Sequence, residues 1–408
     1  MMSVVKGTFR GSWGDHLQIS GNGAKKSNLF NACIAFRDAP EFRGKLRFDE
    51  FAMQTMISGD LPWSDGDEAR PWSNHDDNYA TEWLQGQDIN CGRDTVQMAV
   101  ETVAHERRFH PVRDWLSGLE WDRKPRLDTW LTYYLGVEAN HGTSQEYIQT
   151  VGRCWALSAV ARIFKPGCKA DHVMVVEGRQ GARKSTAIKT LAGEAWFTDD
   201  LDEFGSKDSA MQMRGVWIIE LGEMDHMSRA EVTRIKAAVS RCVDRFRPPY
   251  GHRLVNAPRE CVFAGTVNHS EYLRDETGNR RFWPVRAGSI DIEALAEDRA
   301  QIWAEAVARF RGGEAWWIVD PDMAKQAREE QAERAETDAW IEPILEFVNG
   351  KMSCTTTEIL RHGLNKRVED IRDTDNKRVN KCMTMLGFER RSKKVSGVSM
   401  RVWVRPSD

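Results

Sequence analysis

One segment restricts this chain more than any other: Gly178-Arg179-Gln180-Gly181-Ala182-Arg183-Lys184-Ser185-Thr186. The apolar run Val173-Met174-Val175-Val176 precedes it, and a helical pattern ending near Gly193 follows it. A buried strand, a glycine-bearing turn and a helix start together make a phosphate-binding loop. Backbone N–H groups there converge on an anion at the positive end of the helix. Lys184 would reach the β and γ phosphates of a nucleotide, and the Ser185 hydroxyl would ligate magnesium. The expected ligands are therefore ATP and Mg2+. Gly178, Gln180, Gly181, Ala182, Arg183 and Thr186 complete the cradle. One residue departs from the pattern: Arg183 stands where glycine ordinarily precedes the lysine. A left-handed backbone at that position costs a non-glycine residue roughly 1–2 kcal/mol.

Two further apolar runs, Val216-Trp217-Ile218-Ile219 and Cys261-Val262-Phe263-Ala264-Gly265-Thr266, follow at intervals that leave room for helices. Short buried strands separated by helices predict an α/β fold with a parallel sheet. The second run leads into Glu220 and Glu223. A carboxylate at the end of a strand beside a phosphate loop holds the metal or polarises the attacking water, and the order of residues does not say which glutamate does which. The third run leads to Asn268, placed to hydrogen-bond a γ phosphate. In Thr277-Gly278-Asn279-Arg280-Arg281-Phe282-Trp283, Arg280 and Arg281 are candidates for an arginine supplied between subunits.

A chain of 408 residues exceeds one ordinary core and predicts several domains. Its formal net charge of -3 excludes a uniformly basic nucleic-acid binder, so any such surface must be a local patch. Eight cysteines lie scattered without a C-x-x-C pair, which argues for reduced, buried thiols rather than a zinc ribbon. No apolar run approaches the ~20 residues of a membrane span, and a cytoplasmic setting is expected. The predicted organisation is a flexible arm over 1–30, a helical N-terminal or collar region over 31–140, and an ATPase domain over 141–320. A connecting helix over 321–340 and a basic unit over 341–408 follow. In that last unit the apolar spacing predicts two helices and a strand pair, the order of a winged helix.

The ordered series E-G-R-Q-G-A-R-K-S-T, W-I-I-E-L-G-E, F-A-G-T-V-N and T-G-N-R-R-F-W-P-V resembles the virulence-associated E family of phage and mobile-element proteins. His110-Pro111-Val112-Arg113-Asp114-Trp115-Leu116 and Leu119-Glu120-Trp121-Asp122 are similar to it as well. The likeness runs from about residue 30 to about residue 320. It implies a P-loop NTPase core of AAA+ type, related to superfamily 3 helicases, assembling as a homo-oligomeric ring, a hexamer by that resemblance. On this basis Lys184 and Ser185 are Walker A residues, Glu220 and Glu223 share the Walker B role, Asn268 is sensor 1, and Arg280 or Arg281 is the arginine finger. A second departure is Asp122-Arg123, where Asp-Gly is expected. The resemblance also implies a prokaryotic or phage-infected cell and a separate primase.

In related rings a hairpin ahead of the sensor strand enters the pore, and here that stretch is Arg245 to Arg253, with His252 and Arg253 as the expected DNA contacts. From Lys377 to Arg405 nine basic residues face one acid, Glu389. Lys377, Arg378, Lys381, Arg390, Arg391, Lys393 and Lys394 are therefore predicted to meet DNA phosphates. The expected function is an ATP-dependent DNA helicase acting on single-stranded or forked DNA. The alternatives are an ATP-dependent initiator that binds DNA without processive unwinding, and a degenerate ATPase kept as a ring component.

Overall fold

The structure, a computed structural model, describes residues 12–66, 68–140, 142–201, 204, 206–247, 254–268, 272–273, 278–334, 338–395 and 398–405. The chain divides into two compact units, Met1–Arg334 and Ala335–Asp408.

The first unit begins with a layer that sequence patterning reads as helical but which also contains a sheet. Helices α1 (Leu29–Asp38), α2 (Asn74–Gly86) and α3 (Arg93–Ala104) pack with strands β1 (Leu46–Asp49), β2 (Gln54–Ile57), β3 (Arg70–Pro71) and β4 (Arg108–Phe109), in the order β3-β2-β1-β4. The strands are only two to four residues long, so they carry no alternation to read. Phe36, Phe42, Leu84 and Val100 fill the core between the layers. The Asp-rich stretch after Trp63 leads into the start of α2. The Asp76 carboxylate is buried and accepts from Arg70, Ser73 and the Trp63 indole, and it caps α2. Residues 12–28, read as part of an arm, bond into this layer: the Asn31 side chain holds the backbone of Gln18 and Lys26.

Helices α4 (Pro111–Gly118), α5 (Trp130–Leu135) and α6 (Gln145–Phe164) lead to the central sheet. Helix α6 is buried on nearly every side, so it lacks the polar face that would have announced it. Next come β5 (Val173–Glu177), α7 (Lys184–Ala192), β6 (Phe197–Thr198), α8 (Lys207–Gln212), β7 (Ile218–Leu221) and α9 (Arg229–Val239). The hairpin β8 (Val243–Phe246) and β9 (Val255–Pro258) precedes β10 (Val262–Val267) and β11 (Phe282–Arg286). The sheet order is β11-β5-β10-β7-β6, with all neighbours parallel. The expected parallel α/β sheet is therefore present. The chain leaves β5 in one direction to reach β6 and leaves β10 in the other to reach β11. Adjacent strands whose connections diverge open a crevice at their carboxyl ends, where α/β proteins bind ligands.

Helix α10 (Ile292–Arg311) packs on α6 and α7, and α11 (Pro321–Glu333) closes the unit. Asp320 caps α11 and Pro321 opens it. This helix is less exposed than its composition suggests, because Met323, Ala327, Glu330 and Gln331 are buried. No helix among the described residues is long and apolar enough to cross a membrane.

In the second unit, α12 (Ile341–Val348), β12 (Ser353–Cys354), α13 (Thr356–Glu358, continuing to Gly363) and α14 (Asp373–Met385) precede the hairpin β13 (Glu389–Val395) and β14 (Val398–Val404). The strand order is β12-β14-β13, over a core of Ile344, Ile359, Val379, Met383 and Trp403.

Candidate nucleotide site

The carboxyl ends of β5, β10 and β7 lie side by side, and each delivers a polar side chain to one place. After β5 the chain turns through Gly181 (φ 80°) and Arg183 (φ 64°) into α7. Arg183 is left-handed, as is Arg123 (φ 67°), so both arginines that stand in for an expected glycine occupy backbone that favours glycine. The Arg183 side chain leaves the loop and pairs with Glu293 on α10 at 3.2 Å.

Lys184 is 7% exposed. Its ammonium donates to the carbonyls of Gly178 (2.8 Å) and Arg179 (3.0 Å) and to Oδ1 of Asn268 (3.0 Å). Burial lowers its pKa, against the opposing pull of Asp225 and Glu220. Because an ammonium only donates, Asn268 must turn its oxygen to Lys184, which leaves its NH2 to meet an acceptor.

Glu220, 4% exposed, is the penultimate residue of β7. Its Oε1 accepts from Ser185 Oγ and from Thr266 Oγ1, both at 2.6 Å. Its Oε2 is buried and has no hydrogen-bond partner among the described residues. An ionised carboxylate oxygen left bare beside a hydroxyl is a costly arrangement for a protein alone. It fits a hard divalent cation, for which carboxylate and hydroxyl oxygens are the natural donors. Glu223 is exposed, with φ 50°, and lines the same cleft. The cleft holds about 500 Å³, and Gln180 to Thr186, Asp199, Gly222, Thr266 and Asn268 also line it.

Thr266 and Asp199 are absent from the residues singled out by sequence. Thr266 was within reach: it is the penultimate residue of β10 and lies two positions before Asn268, which directly follows that strand. Asp199 follows the two-residue β6, and nothing local marks it.

Other predicted residues lie elsewhere. Arg280 and Arg281 precede β11, whose start pairs with the start of β5. They sit at the opposite end of the sheet from the Lys184 loop, about five residues or ~16 Å along the strand. Arg281 is tied to Ser240 Oγ (2.7 Å) and to the Gly278 carbonyl (3.3 Å). Arg280 is exposed, 4.0 Å from Asp171. His252 and Arg253 lie outside the described residues. The strands flanking them are tied at their base, where Arg259 pairs with Asp244 through two bonds of 2.6 and 2.9 Å.

In the second unit Arg390, Arg391 and Lys393 are exposed on β13, and Lys394 lies on the same strand. Lys377 and Lys381 lie on α14. Arg378 is committed elsewhere: it grips the buried Asp338 carboxylate through Nε and Nη2 and stacks over Trp340 at 4.1 Å.

Two apo structures of the NrS-1 C-terminal region are similar to the chain at 13% and 12% identity, with TM-scores of 0.46 and 0.48. Each comparison covers 88% of this chain and 96% of that one. No curated protein is matched. A family model described as a virulence-associated protein E-like domain matches residues 116–336, which takes in every strand of the central sheet. The match spans more than half of the sequence, and the chain belongs to the virulence-associated protein E-like family.

Proposed function

We propose that the chain is an ATP-driven DNA helicase of phage or mobile-element replication, with a P-loop core of AAA+ type. The observation that carries this reading is the meeting of Lys184, Ser185, Glu220, Thr266 and Asn268 at three adjacent strand ends. In this reading the backbone of Gln180 to Thr186 cradles the phosphates at the start of α7, and Lys184 exchanges loop carbonyls for phosphate oxygen. Ser185 and the bare oxygen of Glu220 hold magnesium, which neutralises charge on the phosphates. Thr266 fixes the Glu220 carboxylate. Glu223, exposed in the same cleft, orients the attacking water, and the NH2 of Asn268 meets the γ phosphate.

An arginine at the far end of the sheet cannot serve its own cleft, so the reading requires a neighbouring copy in a ring. Arg280 is the candidate finger, because Arg281 is already tied to Ser240. The helix, strand, helix, helix and hairpin order of the second unit supports a winged helix, with the basic β13 turned to DNA phosphates.

Hydrolysis of ATP stimulated by single-stranded DNA, together with strand displacement on a forked duplex, is the expected behaviour. Stimulated hydrolysis without displacement selects the initiator. Absence of hydrolysis with intact folding selects the degenerate component.

A further inference from the structure

Beneath the cleft lies a buried charge cluster that none of the roles above uses. Glu177 is the last residue of β5, immediately before the loop, and is 3% exposed. Arg334, one residue past α11, grips it with both arms of its guanidinium: Nε bonds Oε1, and Nη2 bonds Oε2 at 3.0 Å. Tyr272 Oη donates to the same Oε1 at 3.0 Å. The third guanidinium nitrogen bonds Glu330 Oε2 at 2.7 Å, and Thr143 satisfies the other Glu330 oxygen at 2.6 Å. Meanwhile the backbone carbonyl of Arg334 accepts from the amides of Tyr272 (3.3 Å) and Leu273 (3.0 Å). One arginine therefore holds both the end of the strand that launches the Lys184 loop and the segment that follows Asn268.

A buried ion pair is a weak source of stability, since apolar residues of similar size often do as well. Its distinctive property is direction: a planar fork on a carboxylate fixes two groups in one orientation. Here the two groups are the mounts of the cleft. Gly178, next to Glu177, donates its amide to the Val267 carbonyl (3.2 Å) and accepts from Lys184. A shift of Glu177 would therefore move Lys184 and Asn268 relative to each other.

We propose that Arg334 and Glu177 are positioning residues of the nucleotide cleft, setting the spacing between the Lys184 loop and the Asn268 strand end. The proposal rests on the nucleotide reading for its consequence in turnover, but not for its consequence in backbone dynamics.

The test compares Glu177→Gln, which keeps size and removes charge, with Arg334→Lys, which keeps charge and removes the fork. Glu330→Gln leaves the Arg334–Glu177 pair in place and serves as the control. Hydrogen exchange on the full chain without nucleotide is expected to quicken on the order of tenfold or more at the amides of Gly178, Ala182, Tyr272 and Leu273 in the first two variants. The amides of β7 are expected to keep wild-type rates, and Glu330→Gln to leave Gly178 and Ala182 unchanged. In ATP hydrolysis the first two variants are expected to raise KM on the order of tenfold while kcat changes less. Exchange that stays at wild-type rates at Gly178 and Ala182, or that rises equally across β7, overturns the proposal. If the wild type binds no ATP, the nucleotide reading fails while the exchange data still decide the positioning.

Discussion

The cleft at Lys184 and the basic hairpin strand at Arg390–Lys394 are both candidate anion sites, and they are built in opposite ways. In the cleft the two central charged groups are buried and engaged: Lys184 has three oxygen partners, and Glu220 has two hydroxyl donors on one oxygen. On β13 Arg390, Arg391 and Lys393 are exposed, and Arg391 pairs with Glu389 at 2.8 Å. The difference teaches what each can discriminate. Oriented groups in a low-dielectric cleft act through geometry, so a small displacement matters. Exposed cations act through net charge and are screened by salt.

The comparison is broken most severely at Glu220. Glu220→Gln is expected to lower ATP turnover by about 10²–10³-fold while the protein stays folded, as read by steady-state hydrolysis and thermal melting. Retained turnover would remove Glu220 from the chemistry. On the other side, Arg390→Ala and Lys393→Ala are expected to weaken DNA binding alike for all sequences. Each should reduce the salt slope by about 1 and leave ATP affinity unchanged. A change in sequence preference would show that these residues read bases.

Acidity sharpens the contrast further. In the nucleotide reading Lys184 would meet phosphate only as the ammonium, and its pKa is lowered by burial. As pH rises, ATP affinity is therefore expected to fall before the ordinary lysine range is reached. Titrating ATP affinity across alkaline pH checks this. The smallest effect concerns backbone strain. Arg183→Gly and Arg123→Gly each relieve a left-handed residue, and each is expected to stabilise the protein by about 0.5–1 kcal/mol after glycine's own entropy is counted. If only Arg183→Gly also alters ATP affinity, the arginine side chain and its Glu293 pair act on the cleft.

The same contrast explains what sequence could reveal. The Lys184 loop was legible because strand, turn and helix are contiguous, and the parallel sheet followed from apolar runs spaced by helices. Thr266 carried a local signal, its two-residue offset from Asn268. The N-terminal sheet was not legible, because its pairings, such as Phe48 with Arg108, join distant two- to four-residue strands. The buried contacts of Asp76 were not legible, because its partners Arg70 and Trp63 become visible only once folded. Helix α6 was hidden by being apolar all round, and the Glu177–Arg334 pair by a separation of 157 positions. Distribution of charge was legible in the second unit, but not that Arg378 would be taken by Asp338.

In the proposed function Lys184, Ser185 and Glu220 together bind a nucleoside triphosphate with magnesium. Equilibrium binding of ATP to the wild type and to Lys184→Ala, each with and without Mg2+, tests it most directly. The account predicts wild-type binding that tightens when Mg2+ is added, and a loss on the order of tenfold or more in Lys184→Ala. Equal affinity in the two proteins, or no ATP binding by the wild type in Mg2+, would contradict it.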